Sequence, residues 1–226
     1  ENIINFKIVQ SILTNLFYRE NKVVQKIQLK HDKRYIHYKQ TEYIQKQIQE
    51  IDNYPIMKQF KTTIHMDEED WQDRYYNYYL NVKNINKSEK YINDVCKKYL
   101  EGLQWVLLYY TQGCPSWSWY YPFPCAPCLR ELCKYLDNRI YHVEFKDDKP
   151  ITPIQQLLLV LPHSSFNLLP KEYIKILDEL DIQQYYPIDY DLYTLNNIWL
   201  HECDPKLPII NDTIIFEKVK NIPLSD

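Results

Sequence analysis

Cys125 and Cys128 stand two residues apart, the spacing of a first pair of tetrahedral zinc ligands, with Cys114, Cys133 and His142 nearby. The only second pair available is His201 with Cys203, so the spacing gives half of a zinc site, and the same CxxC suits a redox dithiol or two ordinary thiols. Carboxylates cluster at Asp67 to Asp70, at Asp147-Asp148, at Asp178-Glu179 with Asp181, and at Asp189 with Asp191. Two-metal phosphodiester chemistry needs several carboxylates converging on metals about 3.5–4 Å apart. These clusters read instead as helix ends and solvated loops: four consecutive acids would fan around a helix but suit its first turn, where the dipole favours negative charge. His163-Ser164-Ser165 lies between prolines and reads as a turn rather than a nucleophile beside its base. No residue is therefore assigned a catalytic role, and no metal is expected on this chain.

The third kind of chemistry is aromatic. Between Tyr99 and Pro127 the chain carries Trp105, Trp117 and Trp119, several tyrosines and both of its 2 glycines. Indoles packed into so short a stretch serve a core or a stacking surface. An indole stacks on any nucleobase without reading sequence. The 22 tyrosines also fit a general Ile, Asn, Lys and Tyr bias of the composition.

The elements that must hold this stretch follow from apolar spacing. Ile92, Val95, Tyr99, Leu103, Val106, Leu107 and Tyr110 recur at helical intervals from Ser88, a plausible N-cap, to Thr111. Gly113 falls at the helix C-cap and Pro115 forbids continuation. Gly102 costs about 1 kcal/mol inside a helix, which a close helix crossing would justify. A loop from Cys114 to Pro127, stiffened by four prolines, leads into a short helix from Cys128 to Leu136. Helices opened by proline follow at Ile154 to Leu161 and Pro170 to Leu180. Upstream, Ile8, Val9, Ile12, Leu13, Leu16 and Phe17 mark a helix face, Arg19 to Lys46 a basic, solvated stretch, and Trp71, Tyr75, Tyr78 and Tyr79 another helix side. Val23 to Leu29 could form a strand, Tyr43 to Ile51 reads as helix before Pro55, and Thr213 to Phe216 is the strongest late strand candidate. The fold class is mainly α with minor β. The organisation expected is an N-terminal helical and basic segment, 1–66, and a second region, 67–226.

A net charge of −3 excludes binding of polyanions by the charge of the whole chain, so any nucleic-acid contact must be local. No run of about 20 apolar residues predicts a membrane span. Six cysteines without a compelling framework fit a reducing, intracellular compartment, the cytoplasm ahead of the nucleus. The chain begins at Glu1, and processing or a missing N-terminal part is expected.

The central stretch resembles the 5′→3′ exoribonuclease (Xrn) family. The matching residues are Trp71 with Arg74-Tyr75-Tyr76, Tyr99 through Leu107, Tyr109-Tyr110, Gly113-Cys114, Ser116 through Pro122 and Ala126-Pro127. Behind them come Gln156-Leu157, Val160-Leu161-Pro162, Ser165, Asn167 through Pro170, Tyr186-Pro187, Asp191-Leu192, Trp199 and Leu207-Pro208. These motifs run from Asp70 to Glu217 and correspond to the second conserved half of that family.

The resemblance implies degradation of single-stranded RNA from a 5′-monophosphate end. It places two divalent metals, Mg²⁺ or Mn²⁺, in an acidic nuclease half that is not in this sequence. That half, in the same protein or on a partner chain, is an expected partner, and this chain alone is expected to be inactive. It further implies that this half narrows the RNA channel, with Trp117 or Trp119 as the base-stacking ring, and Tyr120, Tyr121, Pro122 and Trp105 as the loop scaffold. Pro124 and Cys125 stand where the family usually has histidine and tyrosine, and Arg130 and Glu131 where it usually has Ser-Asp. Those departures leave open a second class of function, a non-catalytic structural or interaction protein that reuses the fold.

Overall fold

The computed structural model describes residues 3–47, 64–137, 142–177, 179–195, 197, 200–220 and 222. They form two units, each with its own core: residues 1–148 with 194–203, and residues 149–193 with 204–226.

The first unit is built on two long helices and two short ones. Helix α1 runs Phe6–Gln47. Asn5 starts it, its side-chain oxygen accepting from the N–H groups of Lys7 (3.1 Å) and Ile8 (3.3 Å). The strand expected at Val23 to Leu29 is instead part of this helix. No Gly or Pro interrupts the segment, and Val24 and Gln28 turn inward one helical turn apart, which a strand alternation would not allow. The basic stretch from Arg19 onward is likewise helix; the end of the helix expected at Tyr43 to Ile51, together with Pro55, falls outside the described residues.

Helix α2 (Trp71–Leu80) follows the acidic run, with Asp70 at its N-cap position. Its Trp71 and Tyr76 are buried, and Tyr75, Tyr78 and Tyr79 pack edge to face around them. Helix α3 (Glu89–Gln112) is preceded by a 3-10 turn, Asn86–Ser88, and Ser88 occupies its N-cap without a side-chain bond. Ile92, Val95, Cys96, Leu100 and Gln104 are its buried residues. Helix α4 (Leu129–Leu136) buries Leu132, Tyr135 and Leu136.

Side-chain hydrogen bonds tie the N-terminal segment to the rest of the unit. The Glu20 carboxylate accepts from the Leu129 N–H at 2.7 Å, capping α4 from a different helix. The Asn21 side chain accepts from the Trp71 indole N–H at 3.1 Å. The buried Gln104 of α3 accepts from the Ile4 N–H at 2.8 Å. Phe6, Ile64 and Met66 join the same core, so residues on both sides of the expected 66/67 boundary share it.

The second unit holds helices α5 (Pro153–Val160), α6 (Lys171–Leu177), α7 (Leu180–Gln183) and α8 (Asp212–Val219), and a two-residue antiparallel ladder. In that ladder β1 (Leu192–Tyr193) pairs with β2 (Asp204–Pro205). Thr152 and Gln155 close a reciprocal capping box on α5. The strand expected at Thr213 to Phe216 is helix α8. Asn211 caps it, accepting from the Ile214 N–H at 3.3 Å, and Ile215 and Val219 face the core four residues apart. The apolar run was too short to separate the two periods by itself. Leu158, Phe166, Ile182, Tyr186 and Ile215 are among the residues of this core.

Candidate nucleic-acid interface

Helix α3 loses its burial toward its C-terminus. Leu103, Val106, Tyr109 and Tyr110 are exposed, the last by 81%. The apolar spacing read from the sequence continues, but its last turns find no core. What covers part of this end is the loop that follows. Gly113 leaves the helix with φ +101°, a conformation that favours glycine, and turns the chain back along α3.

The returning loop seats Trp119 on the helix. A Cβ at Gly102 would lie 2.9 Å from Trp119 Cη2. Gly102 therefore makes room for an indole of the same unit, not for the crossing helix expected from the sequence. The half-buried ring is held by several neighbours. It stacks with Trp105 at 6.2 Å and 22° and meets Phe145 edge to face at 5.9 Å. Its N–H donates to Glu101 at 3.2 Å, and Lys98 pairs with the same carboxylate at 2.7 Å. Trp105 stacks on Tyr109 (5.1 Å, 9°) and donates its indole N–H to the Ser116 carbonyl at 3.0 Å.

Trp117, two residues away, has the opposite environment. It is 57% exposed, and Tyr120 is 58% exposed. Its backbone is fixed nonetheless, by a carboxylate that the sequence reading placed in solvent. Asp148 Oδ2 accepts from Ser116 Oγ at 2.8 Å, from the Ser118 N–H at 3.0 Å and from Ser118 Oγ, while Oδ1 accepts from the Trp117 N–H. These bonds, the Ser118 hydroxyl first, hold the Asp148 carboxyl well below the usual carboxylate range. The buried Ser116 hydroxyl also accepts from the Trp119 N–H at 3.2 Å. The signal in the sequence was the pair of serines flanking Trp117, two hydroxyls in need of an acceptor.

Tyr121 and Pro122 follow this turn in the chain. Tyr121 is half-buried, packs edge to face on Tyr99 (6.0 Å) and on Phe123 (5.5 Å), and donates its hydroxyl to the Cys125 carbonyl at 2.7 Å. Pro122 is half-buried beside it. Tyr75 donates to the Ala126 carbonyl at 3.0 Å, and Tyr76 accepts from the Cys128 N–H at 2.8 Å. Cys125 and Cys128 are buried, unbridged thiols, and burial pushes Cys125 up to about 12 and Cys128 well above the ordinary thiol. Buried and protonated in this way, the pair is a poor redox dithiol. Among the described residues no three His, Cys, Asp or Glu side chains come together as a metal site. Asp67 to Asp70 form the turn before α2, Glu179 and Asp181 pair with Lys218, and His163 packs on Phe166 in a 3-10 turn. Asp178 and Trp199 lie outside the described residues.

The helical scaffold thus fixes one indole and exposes its neighbour. The chain belongs to the family described as the Xrn1 helical domain, whose model matches residues 17–224. Among curated proteins it is 44% identical over 126 residues to the 5′-3′ exoribonuclease 1 of Saccharomyces cerevisiae, covering 55% of this chain and 8% of that protein. It is 32% identical over 157 residues to the 5′-3′ exoribonuclease 2 of Arabidopsis thaliana, covering 69% of this chain and 15% of that protein. With the 5′-3′ exoribonuclease 1 of Schizosaccharomyces pombe it shares 31% over 180 residues, 77% of this chain and 13% of the relative. The chain thus spans less than a sixth of the length of these relatives. Among the described residues no helix is long and apolar enough to cross a membrane.

Proposed function

We propose that this chain is the helical portion of a 5′→3′ exoribonuclease, in which it forms part of the wall of a channel for single-stranded RNA and offers Trp117 as the base-stacking ring. The observation that carries the reading is the exposure of the Trp117 indole at the tip of a turn whose backbone is bonded on both sides. Trp119, the other candidate, has its ring against Gly102 and Trp105 and acts as the anchor of the loop. Tyr120 is the exposed neighbour that a second base would meet, and Tyr121, Pro122 and Trp105 brace the loop.

Hydrolysis from a 5′-monophosphate end, with Mg²⁺ or Mn²⁺, belongs in this reading to an acidic nuclease half outside these residues. The carboxylates described here do not converge to hold metals, so no step is assigned to them. An aromatic platform suits such an enzyme because stacking contributes about 1–3 kcal/mol per base without sequence preference. The compartment proposed is intracellular and reducing.

The test is binding of a labelled oligouridylate at low salt, followed by anisotropy. Trp117→Ala should weaken binding by about 1–3 kcal/mol with no change in the unfolding midpoint. An unchanged affinity sinks the platform. Mixing the chain with the acidic half, 5′-monophosphorylated RNA and Mg²⁺ should release mononucleotides. RNA degradation by this chain alone, abolished by mutation of its own acids, would overturn the assignment of catalysis elsewhere.

A further inference from the structure

We propose that Asp148 is a positioning residue of the stacking platform: its carboxylate grips three consecutive residues and so sets the direction in which the Trp117 ring projects toward a base. The proposal rests on the reading of Trp117 given above. Two successive backbone N–H groups, those of Trp117 and Ser118, point at this one carboxylate, and two serine hydroxyls complete its acceptor sites. Consecutive N–H groups of this kind form an anion-binding concavity. Here the anion is supplied by the protein, 31 residues downstream of Trp117, and the bonds to it are charge-assisted. On the opposite side the Ser116 carbonyl takes the Trp105 indole N–H, and the Ser116 hydroxyl takes the Trp119 N–H. Every residue of the turn 116–119 is therefore bonded through its backbone. The rotamer of Trp117 is the freedom that remains, and the carboxylate decides where that side chain begins.

The charge of Asp148 makes the role testable by sign. An anion beside a polyanion repels it, so by electrostatics alone Asp148→Asn tightens RNA binding. As a positioning change it does the opposite, because the amide nitrogen of asparagine cannot accept the N–H or hydroxyl bonds that one carboxylate oxygen took. The experiment is a double-mutant cycle on the full chain with labelled oligouridylate, using Trp117→Ala, Asp148→Asn and their combination, with unfolding midpoints measured for each.

Asp148→Asn is expected to weaken binding about three- to tenfold, as for the loss of one or two hydrogen bonds, and to have no further effect beside Trp117→Ala. Where Asp148→Asn leaves part of the chain unfolded, Ser118→Ala, which removes a single donor, decides, with a loss of about twofold or more expected in the folded protein. If Trp117→Ala weakens binding while Asp148→Asn tightens it or leaves it unchanged, Asp148 does not position the ring and the platform stands. Equal weakening by Asp148→Asn with and without Trp117 also overturns the proposal. If Trp117→Ala changes nothing, the platform itself fails.

Discussion

Replacing Gly102 with alanine sets two effects of known size against each other. In a helix interior, alanine is favoured over glycine by about 1 kcal/mol. The new methyl would stand 2.9 Å from Trp119 Cη2, closer than carbon atoms in contact normally approach. The indole cannot retreat freely, because Trp105 lies against it, Phe145 meets its edge and Glu101 holds its N–H. Overpacking of this kind costs about 1–3 kcal/mol. The steric term wins, and Gly102→Ala should destabilise the first unit by about 1 kcal/mol net, lowering its thermal midpoint by about 2–4 °C. The assay is urea unfolding followed by tryptophan fluorescence, repeated in a Trp119→Leu background. There the ring is gone, only helix propensity remains, and the same substitution should stabilise by up to about 1 kcal/mol. A Gly102→Ala protein more stable than its parent in the natural background would refute the seating of Trp119 on the glycine.

Two other substitutions probe the joints of the fold. Burial, aided by the charge of Glu131, raises the Glu20 carboxyl above its ordinary value. Its contribution to stability is then fully present below the unfolded value and lost as pH rises through the folded one. Glu20→Gln keeps an acceptor for the Leu129 N–H, so it should remove that pH dependence and be no less stable at pH 7; a mutant that loses stability at pH 7 but not at pH 4 contradicts the sign. Thr152→Ala breaks the capping box of α5 and should cost about 1 kcal/mol in chemical denaturation, with no effect on oligouridylate binding.

The parts of this structure that local chemistry dictates were legible from residue types. Pro153 announces α5, and Gly113 with Pro115 announces the end of α3. Long-range partners were not legible. Gly102 signalled a close approach, but nothing local said that the visitor was Trp119, 17 residues on, rather than a helix. Thr213 to Phe216 carries β-branched residues and still folds as α8, because a cap at Asn211 and a core facing Ile215 and Val219 outweigh intrinsic preference. Asp148 was taken for a solvated charge because its partners lie 30 to 32 residues earlier and two of them are main-chain groups, invisible as types. Of the two indoles, sequence could say that one must anchor the loop. The exposure of each comes only from the fold.

The grips on the far end of the loop go to main-chain atoms. Tyr121 donates to the carbonyl of Cys125, Tyr75 to that of Ala126, and Tyr76 accepts from the N–H of Cys128. Any amino acid presents the same carbonyl, and any but proline the same N–H. The exposed Ala126 can therefore change while these bonds remain, whereas Cys125 and Cys128 are buried and stay constrained by packing. The tyrosines hold the course of the main chain, and it is burial, not these bonds, that constrains the two cysteines.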